Sequence, residues 1–429
     1  MPCCSDGLLS VILRQSSSHS SLCFVLMSRA VRCVPRFRFR YVCLIAILTV
    51  FWQQYLYHTY RNALAAKYSP TEFNTNVDYL QTLESRPDDE TLRFQDDLLA
   101  NRADWRALDK GWEGTTFLYG DSVIKTYTPG QSPFRNCAWG MVSEQWPTEI
   151  PASVLCGGFS QNHDLEPSIH NATLGLEGFL PVKAYFKASS WSNADEWHLV
   201  TPFVAEGSLK KFAKKISEEQ RDYRPIDTQY RPVFNRLLHN LGKLHDAGYC
   251  HDDIKPENIF VRDESNWILG DLGQLRHISH PYHTSLTWRE NKQLDDCRAN
   301  DVVRLLKSYI CFIQASANDK SVMNAELFDP SAPLSRLLWW TLSRSSSIST
   351  LELRDRSLVE QPKRSATMQV GEDIQLTALS TTRWGVHALD WGRRSAIDYV
   401  VDMRVSENRA RWRGLVWVFG LPKSVECGE

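Results

Sequence analysis

Residues 250–260 read CHDDIKPENIF, and this stretch limits the fold more than any other in the chain. A histidine, two aspartates, a lysine, a glutamate and an asparagine are crowded together. Yet Ile254, Pro256, Ile259 and Phe260 are set among and after them. A solvated loop would supply the charges but gives no reason for the apolar residues. The pattern is that of a loop seated on a core, with its polar side chains held outward. A further aspartate, Asp271, follows in ILGDLG, and the intervening FVRDESNWILG reads as a short hairpin.

The chain enters this loop through PVFNRLLHNLGKLHDAG, where Phe234, Leu237, Leu238, Leu241 and Leu244 recur at helical spacing. Gly248 ends that helix in the left-handed conformation glycine tolerates. From about Trp105 the text is that of short strands, WRALDKGWEG, TTFLYG and SVIKTYTPG, divided by Gly111, Gly114 and the hairpin pair Gly120-Asp121. They read as three antiparallel strands, the third carrying Lys125. A helix is expected around NCAWGMVSEQW, then strands in FLPVKAYFKA and EWHLVTPFV, then a helix beginning in EGSLKKFAKKI. No repeat of solenoid length is visible.

HDDIKPENIF resembles the catalytic loop of the eukaryotic protein kinases, H-R-D-L-K-P-E-N, and ILGDLG resembles their metal-binding D-F-G. The resemblance covers about residues 105–345. It implies an α+β, two-lobed protein kinase-like fold: a small antiparallel β-sheet lobe with one helix, and a larger, mainly helical lobe. It also implies ATP and Mg as cofactors, with the γ-phosphate passing to a hydroxyl of a protein or glycan. Phosphoryl transfer needs a carboxylate near the attacking hydroxyl, a cation near the γ-phosphate and oxygen ligands for magnesium on a rigid support. By resemblance Asp253 orients or deprotonates the acceptor, Lys255 stabilises charge on the transferring group, and Asn258 and Asp271 hold the metal. Lys125 corresponds to the strand lysine of the α- and β-phosphates, with Glu144 as its expected helix partner and Glu149 as the second choice. Gly111 and Gly114 match the second and third glycines of the phosphate-covering loop. HLVTPFVAEGSL resembles the interlobe hinge, where backbone groups around Phe203 and Val204 would face adenine. Asp301 fits the aspartate that opens the central helix and accepts bonds from catalytic-loop amides, and His251 fits the residue packed beneath that loop.

The departures from the family's pattern are specific. Asp252 replaces the arginine that meets a phosphorylated activation loop, Leu272 replaces the D-F-G phenylalanine, and Asp109 replaces the first glycine. No A-P-E tripeptide follows; QLRHISHPYHTSLTWRENKQLDDC stands in that interval. Lys255 separates the chain from aminoglycoside-type kinases, which usually lack a lysine there. Cys250 reads as a buried apolar neighbour, since nothing basic is placed to activate it. Two function classes follow. One is an active phosphotransferase, carried by Lys125, Asp253, Asn258 and Asp271 together. The other is a pseudokinase that uses the fold for nucleotide binding or scaffolding.

Charge and cysteine content narrow the partners. Lys plus Arg (49) nearly balances Asp plus Glu (50), so nucleic acid is not expected, and the 11 cysteines lack the CxxC spacing of a zinc site. The N-terminus carries a second signal. RAVRCVPRFRFR, with Arg29, Arg32, Arg36, Arg38 and Arg40, precedes the uncharged residues 41–57, YVCLIAILTVFWQQYLY. A buried core helix would show a polar face, and a cleaved signal would show a small-residue cleavage site; neither is evident. The segment reads as a transmembrane signal anchor with aromatic residues at its far end. The positive-inside rule then keeps residues 1–40 cytosolic and sends the kinase-like domain to the lumenal or extracellular side of a single-pass membrane protein. The sequon Asn171-Ala172-Thr173 agrees with that side. Residues 58–104 read as a stalk, and residues 346–429 carry no assignable fold.

Overall fold

The computed structural model describes residues 36–73, 89–111, 114–127, 136–139, 145–160, 176–189, 195–219, 221–361 and 396–415. Helix α1 (Arg36–Lys67) opens them. Its apolar residues from Phe39 to Tyr55, among them Leu44, Ile45, Phe51 and Trp52, lie exposed. From Phe39 to Lys67 the helix is long and apolar enough to cross a membrane, and none of its apolar window is buried against the protein. Beyond Tyr57 the same helix changes character. Tyr60, Ala63 and Leu64 recur at i, i+3 and i+4 and are buried with Tyr68 and Ala410. The described parts of 58–104 are therefore packed on the domain instead of extending as a stalk. Helix α2 (Asp89–Ala100) likewise buries Leu98 against Trp105 and Ile124.

In the small lobe, the described strands β1 (Arg106–Lys110), β2 (Gly114–Tyr119), β3 (Ser122–Tyr127), β6 (Ala184–Ser189) and β7 (Asp195–Pro202) form one antiparallel sheet in the order β1-β2-β3-β7-β6. Alternation along β3 decides what each face does. Ile124 packs with Trp105, Phe186 and Val200 under α2, whereas Lys125 and Tyr127 point the other way, toward Glu149. The described residues of NCAWGMVSEQW, where a helix is expected, are extended; 140–144 lie outside the described residues. Cys137–Trp139 (β4) instead pairs with Gln145–Pro147 (β5), and the lobe's helix, α3, runs over Glu149–Gly157. Pro147 disfavours helix for itself and for Trp146 before it. Trp146 is instead held by ring contacts to Trp197 and Tyr185, 4.4 and 5.7 Å between centroids.

The large lobe is built on α4 (Leu209–Ser217), α5 (Tyr223–Asp246) and α7 (Cys297–Ser316), with the short α6 (Leu286–Glu290) before α7. The stripe Phe234, Leu237, Leu238, Leu241 and Leu244 is buried, Asp222 caps α5, and Gly248 leaves it at φ 86°. Helices α8 (Lys320–Glu326), α9 (Pro333–Ser343) and α10 (Thr350–Val359) complete the lobe, with α10 started by a Ser349/Glu352 capping box. The unassigned C-terminal region thus supplies α10 on α5, the stretch 396–407, and α11 (Asn408–Leu415) on α1. Gly414 eases the close approach of α11 to α1, since a Cβ would sit 3.1 Å from the Arg61 amide.

Candidate active site

After Gly248 the chain forms β8 (Tyr249–Cys250), the loop 251–258, the hairpin β9 (Ile259–Asp263) and β10 (Asn266–Leu269), and then reaches Asp271; β11 (Arg276–His277) returns to pair with β8. The expected hairpin is present, and its ends are tied where the Gly270 amide donates to the Asn258 carbonyl at 2.9 Å. Ile254 is fully buried and seats the loop on the core. Asp301, also fully buried, accepts from the amides of His251 (2.6 Å) and Asp252 (3.0 Å). His251 lies beneath the loop with Nε2 3.2 Å from the Gly270 carbonyl. Asp252 and Asp271 both hold positive φ, 62° and 55°. Such backbone persists only where surrounding contacts dictate it.

The polar residues converge in two groups. In the first, Asp253 Oδ2 accepts from Lys255 Nζ (2.6 Å) and Asn258 Nδ2 (3.0 Å), and Asn258 Nδ2 also reaches the Asp253 carbonyl (2.9 Å). In the second, Lys125 pairs with Glu149 and lies 3.3 Å from Asp271 Oδ1, while Tyr127 donates to Glu149 at 2.6 Å. Glu149 therefore partners Lys125; Glu144 lies outside the described residues, as does Asn171. Lys125 beside Asp271 holds that carboxyl below its ordinary range, against the opposing effect of burial. Burial, helped by the nearby Asp271 charge, pushes Glu149 above its ordinary range despite Lys125.

The glycine stretch and hinge are placed as follows. The Gly111 amide donates to the Gly114 carbonyl at 2.9 Å, and a Cβ at Gly114 would run into the Thr126 carbonyl. Phe203 is exposed, but its amide donates to the Asp121 carbonyl at 2.8 Å, so that N–H is already used; the Val204 carbonyl accepts from Gly207 at 3.0 Å.

Several residues at the site escaped the sequence reading. Cys250 is buried as expected, but it is joined by a disulfide to Cys297 at the start of α7, with Cα atoms 6.0 Å apart. Arg304, one helical turn after Asp301, bonds the Ile254 carbonyl through Nε (3.1 Å) and reaches Asp253 Oδ1 through Nη2 (3.5 Å). The i, i+3 spacing in RANDVVR was the available signal. Asp252 Oδ2 meets Arg276 (3.2 Å) and His283 (2.9 Å), both buried. Nothing in the local text marks that pairing.

The family model for the protein kinase domain matches residues 186–312. That interval runs from β6 into α7 and contains Asp253, Lys255, Asn258 and Asp271. The chain is similar to eIF-2-alpha kinase GCN2 of Schizosaccharomyces pombe, 30% identical over 20% of this chain and 6% of that protein. It is 29% identical to human mitogen-activated protein kinase 13 over 25% of this chain and 26% of that one. With rat serine/threonine-protein kinase 16 it shares 30% identity over 22% of this chain and 30% of that one. The chain thus spans no more than 30% of the length of these curated relatives.

Proposed function

We propose, from the premise that this chain is a member of the protein kinase-like superfamily, that it transfers the γ-phosphate of ATP to an acceptor hydroxyl with Asp253 as the base. The observation that carries the proposal is the placing of two polar groups, Lys125 with Asp271 and Asp253 with Lys255 and Asn258, next to one another through the Gly270–Asn258 backbone bond. Asp271 and Asn258 suit magnesium, a hard cation that takes oxygen ligands. Asn258 uses Nδ2 toward Asp253, and its Oδ1 has no hydrogen-bond partner among the described residues. Gly114 permits the close approach of β2 to β3, where a Cβ would run into the Thr126 carbonyl.

When bound, magnesium would be held by Asn258 and Asp271 and would neutralise charge on the phosphates. The rest is the work of the chain. Lys125, fixed by Glu149, is aimed at the α- and β-phosphates. Asp253 takes or orients the acceptor proton, with its Oδ2 held in place by Lys255 and Asn258. Lys255 is close enough to follow charge onto the transferring group. Backbone around Phe203 and Val204 faces adenine through the groups that the Asp121 contact leaves open. Asp109 in place of the first glycine favours a second reading, a pseudokinase that binds nucleotide or scaffolds without transfer.

Thermal unfolding with and without Mg·ATP, alongside transfer assays, separates the two. Asp271→Ala is expected to abolish the magnesium-dependent stabilisation. Asp253→Asn is expected to keep it while transfer falls about 10²- to 10⁴-fold, the range for loss of a positioned acid–base group. Equal transfer by wild type and Asp253→Asn sinks the enzyme reading.

A further inference from the structure

A cavity of about 1170 Å³ opens beside Asp253 and Lys255, bounded by α4, α7 and residues 398–411 of the C-terminal segment. That segment has no counterpart in the motifs discussed above, yet it is fastened to the catalytic loop. Arg304, 4% exposed, donates through Nη1 to the Met403 carbonyl (3.2 Å) while the same guanidinium holds Asp253 and Ile254. Asn291 brackets Ser406 from both sides, accepting from its amide at 2.7 Å and donating to its carbonyl at 3.2 Å. Glu407 is clasped by Lys67 and by the Tyr68 hydroxyl (2.7 Å), both from the end of the N-terminal helix. The wall is thus built, and its position is referred directly to the Asp253 carboxylate.

We propose that this cavity is the acceptor subsite and that its ligand is a neutral polyhydroxyl compound, a saccharide; the proposal rests on the phosphotransferase reading above. Two observations select the class. First, the face of the segment after β11 is covered. His280 contacts Ser69, Tyr60 donates to Glu290, and Lys67 lies over the Tyr282 ring. An extended polypeptide finds no open track there, so an acceptor reaches Asp253 end-on through the cavity. Second, the lining is balanced in charge. Five carboxylates, Asp253 and Glu257 on the loop and Asp398, Asp402 and Glu407 on the segment, stand against four cations. An alternation of acceptors and donors with little net charge suits a ligand rich in hydroxyls, each of which both donates and accepts. The side chains of Asp398 and Asn408 line the cavity and make no hydrogen bond or ion pair among the described residues. The volume exceeds the ~300–1,000 Å³ of ordinary small-molecule pockets and has room for a short oligosaccharide.

The test uses the full chain in detergent micelles with magnesium and γ-labelled ATP. Three acceptors are offered: secretory glycoproteins, their released neutral oligosaccharides, and the same proteins after deglycosylation. Label is expected in glycan and absent from deglycosylated protein. Label in both glycan preparations identifies the sugar itself as the determinant, and label in only one identifies the free or the protein-linked source. Asp398→Asn and Asn408→Ala are each expected to raise the saccharide KM about tenfold, the cost of one lost polar contact, with kcat unchanged. Label confined to deglycosylated polypeptide, or to no acceptor while Mg·ATP still stabilises the chain, overturns the saccharide assignment. An unmoved KM in both variants removes the C-terminal segment from the subsite. Loss of Mg·ATP stabilisation in the wild type would instead defeat the phosphotransferase reading itself.

Discussion

At Asp252 the structure reverses the charge logic of the position. Where related kinases place an arginine, this chain buries a carboxylate and supplies the cations from the segment that follows Asp271. Arg276 is 1% exposed and satisfied by Asp252, Asn136 (2.8 Å) and Gln274 (3.1 Å), and it lies over the Tyr282 ring. His283 directs Nε2 to Asp252 at 2.9 Å and Nδ1 to the Ile278 carbonyl at 3.1 Å. Both nitrogens face acceptors, an arrangement that favours the doubly protonated ring. Burial alone would depress its pKa, but the Asp252 charge and hydrogen bonds raise it, with Arg276 opposing. Neighbouring His280 is the contrary case: burial pushes it down to about 3, and its Nδ1 accepts from the Tyr282 amide.

The sign of the pH dependence follows. A histidine whose folded pKa is raised contributes stability that is complete below its ordinary value of 6.5 and is lost as pH rises through the folded value. Burial works against the Asp252 carboxylate too, but His283 and Arg276 lower its pKa, so its contribution is lost only in acid. The excess thermal stability of wild type over His283→Gln is therefore expected to be greatest near pH 5–6 and to shrink above neutrality. A difference that is flat from pH 5 to 8.5 would show that the ring is neutral.

Between elements, the Cys250–Cys297 disulfide staples β8 to the start of α7 across a sequence separation of 47 residues. It joins the strand that launches the catalytic loop to the helix that carries Asp301 and Arg304, the two residues bonded to that loop. Closing a loop of this length stabilises by about 4 kcal/mol on the chain-entropy account. The double replacement Cys250→Ala/Cys297→Ala is expected to lower the melting temperature by roughly 10 °C for a domain of this size, as calorimetry would read. An unchanged melting temperature would mean that the loop is held by Asp301 and Arg304 alone. The β4–β5 pair belongs to this scale as well. At Trp146, strand pairing goes with ring contacts to Trp197 and Tyr185 that no window of local sequence contains.

Among the described residues, the C-terminal part of α1 and the segment 396–415 both close on the large lobe. The end of α1 meets α11 and α6, so the long apolar helix continues straight into the domain with no free linker between Tyr57 and the packed residues from Tyr60 onward. We propose, from the arginine cluster before the uncharged residues 41–57 and from a disulfide of the kind that oxidising compartments favour, that the domain lies on the lumenal or extracellular side. Protease added to sealed microsomes is expected to leave the domain intact, with Asn171 carrying an endoglycosidase-sensitive mass. Cleavage of the domain without detergent would reverse that topology.

The sequence by itself determined the kinase-like architecture, the three opening strands with Lys125 on the third, the helix stripe before Gly248, and the clustering of Asp253, Lys255, Asn258 and Asp271. These depend on short spacings: the period of a strand, the period of a helix, and a hairpin that returns two carboxylates to one place. Asp301 was legible for the same reason, through its place at the start of a helix. Tertiary structure decided the rest. It chose Glu149 for Lys125, gave Asp252 its buried cations, paired Cys250 with Cys297, and brought residues 398–411 against Asp253 through Arg304. Each of these is a choice among chemically equivalent partners far apart in the chain. A carboxylate, a guanidinium or a thiol carries no local mark of which distant group it will meet, and only the packing of the elements between them selects one.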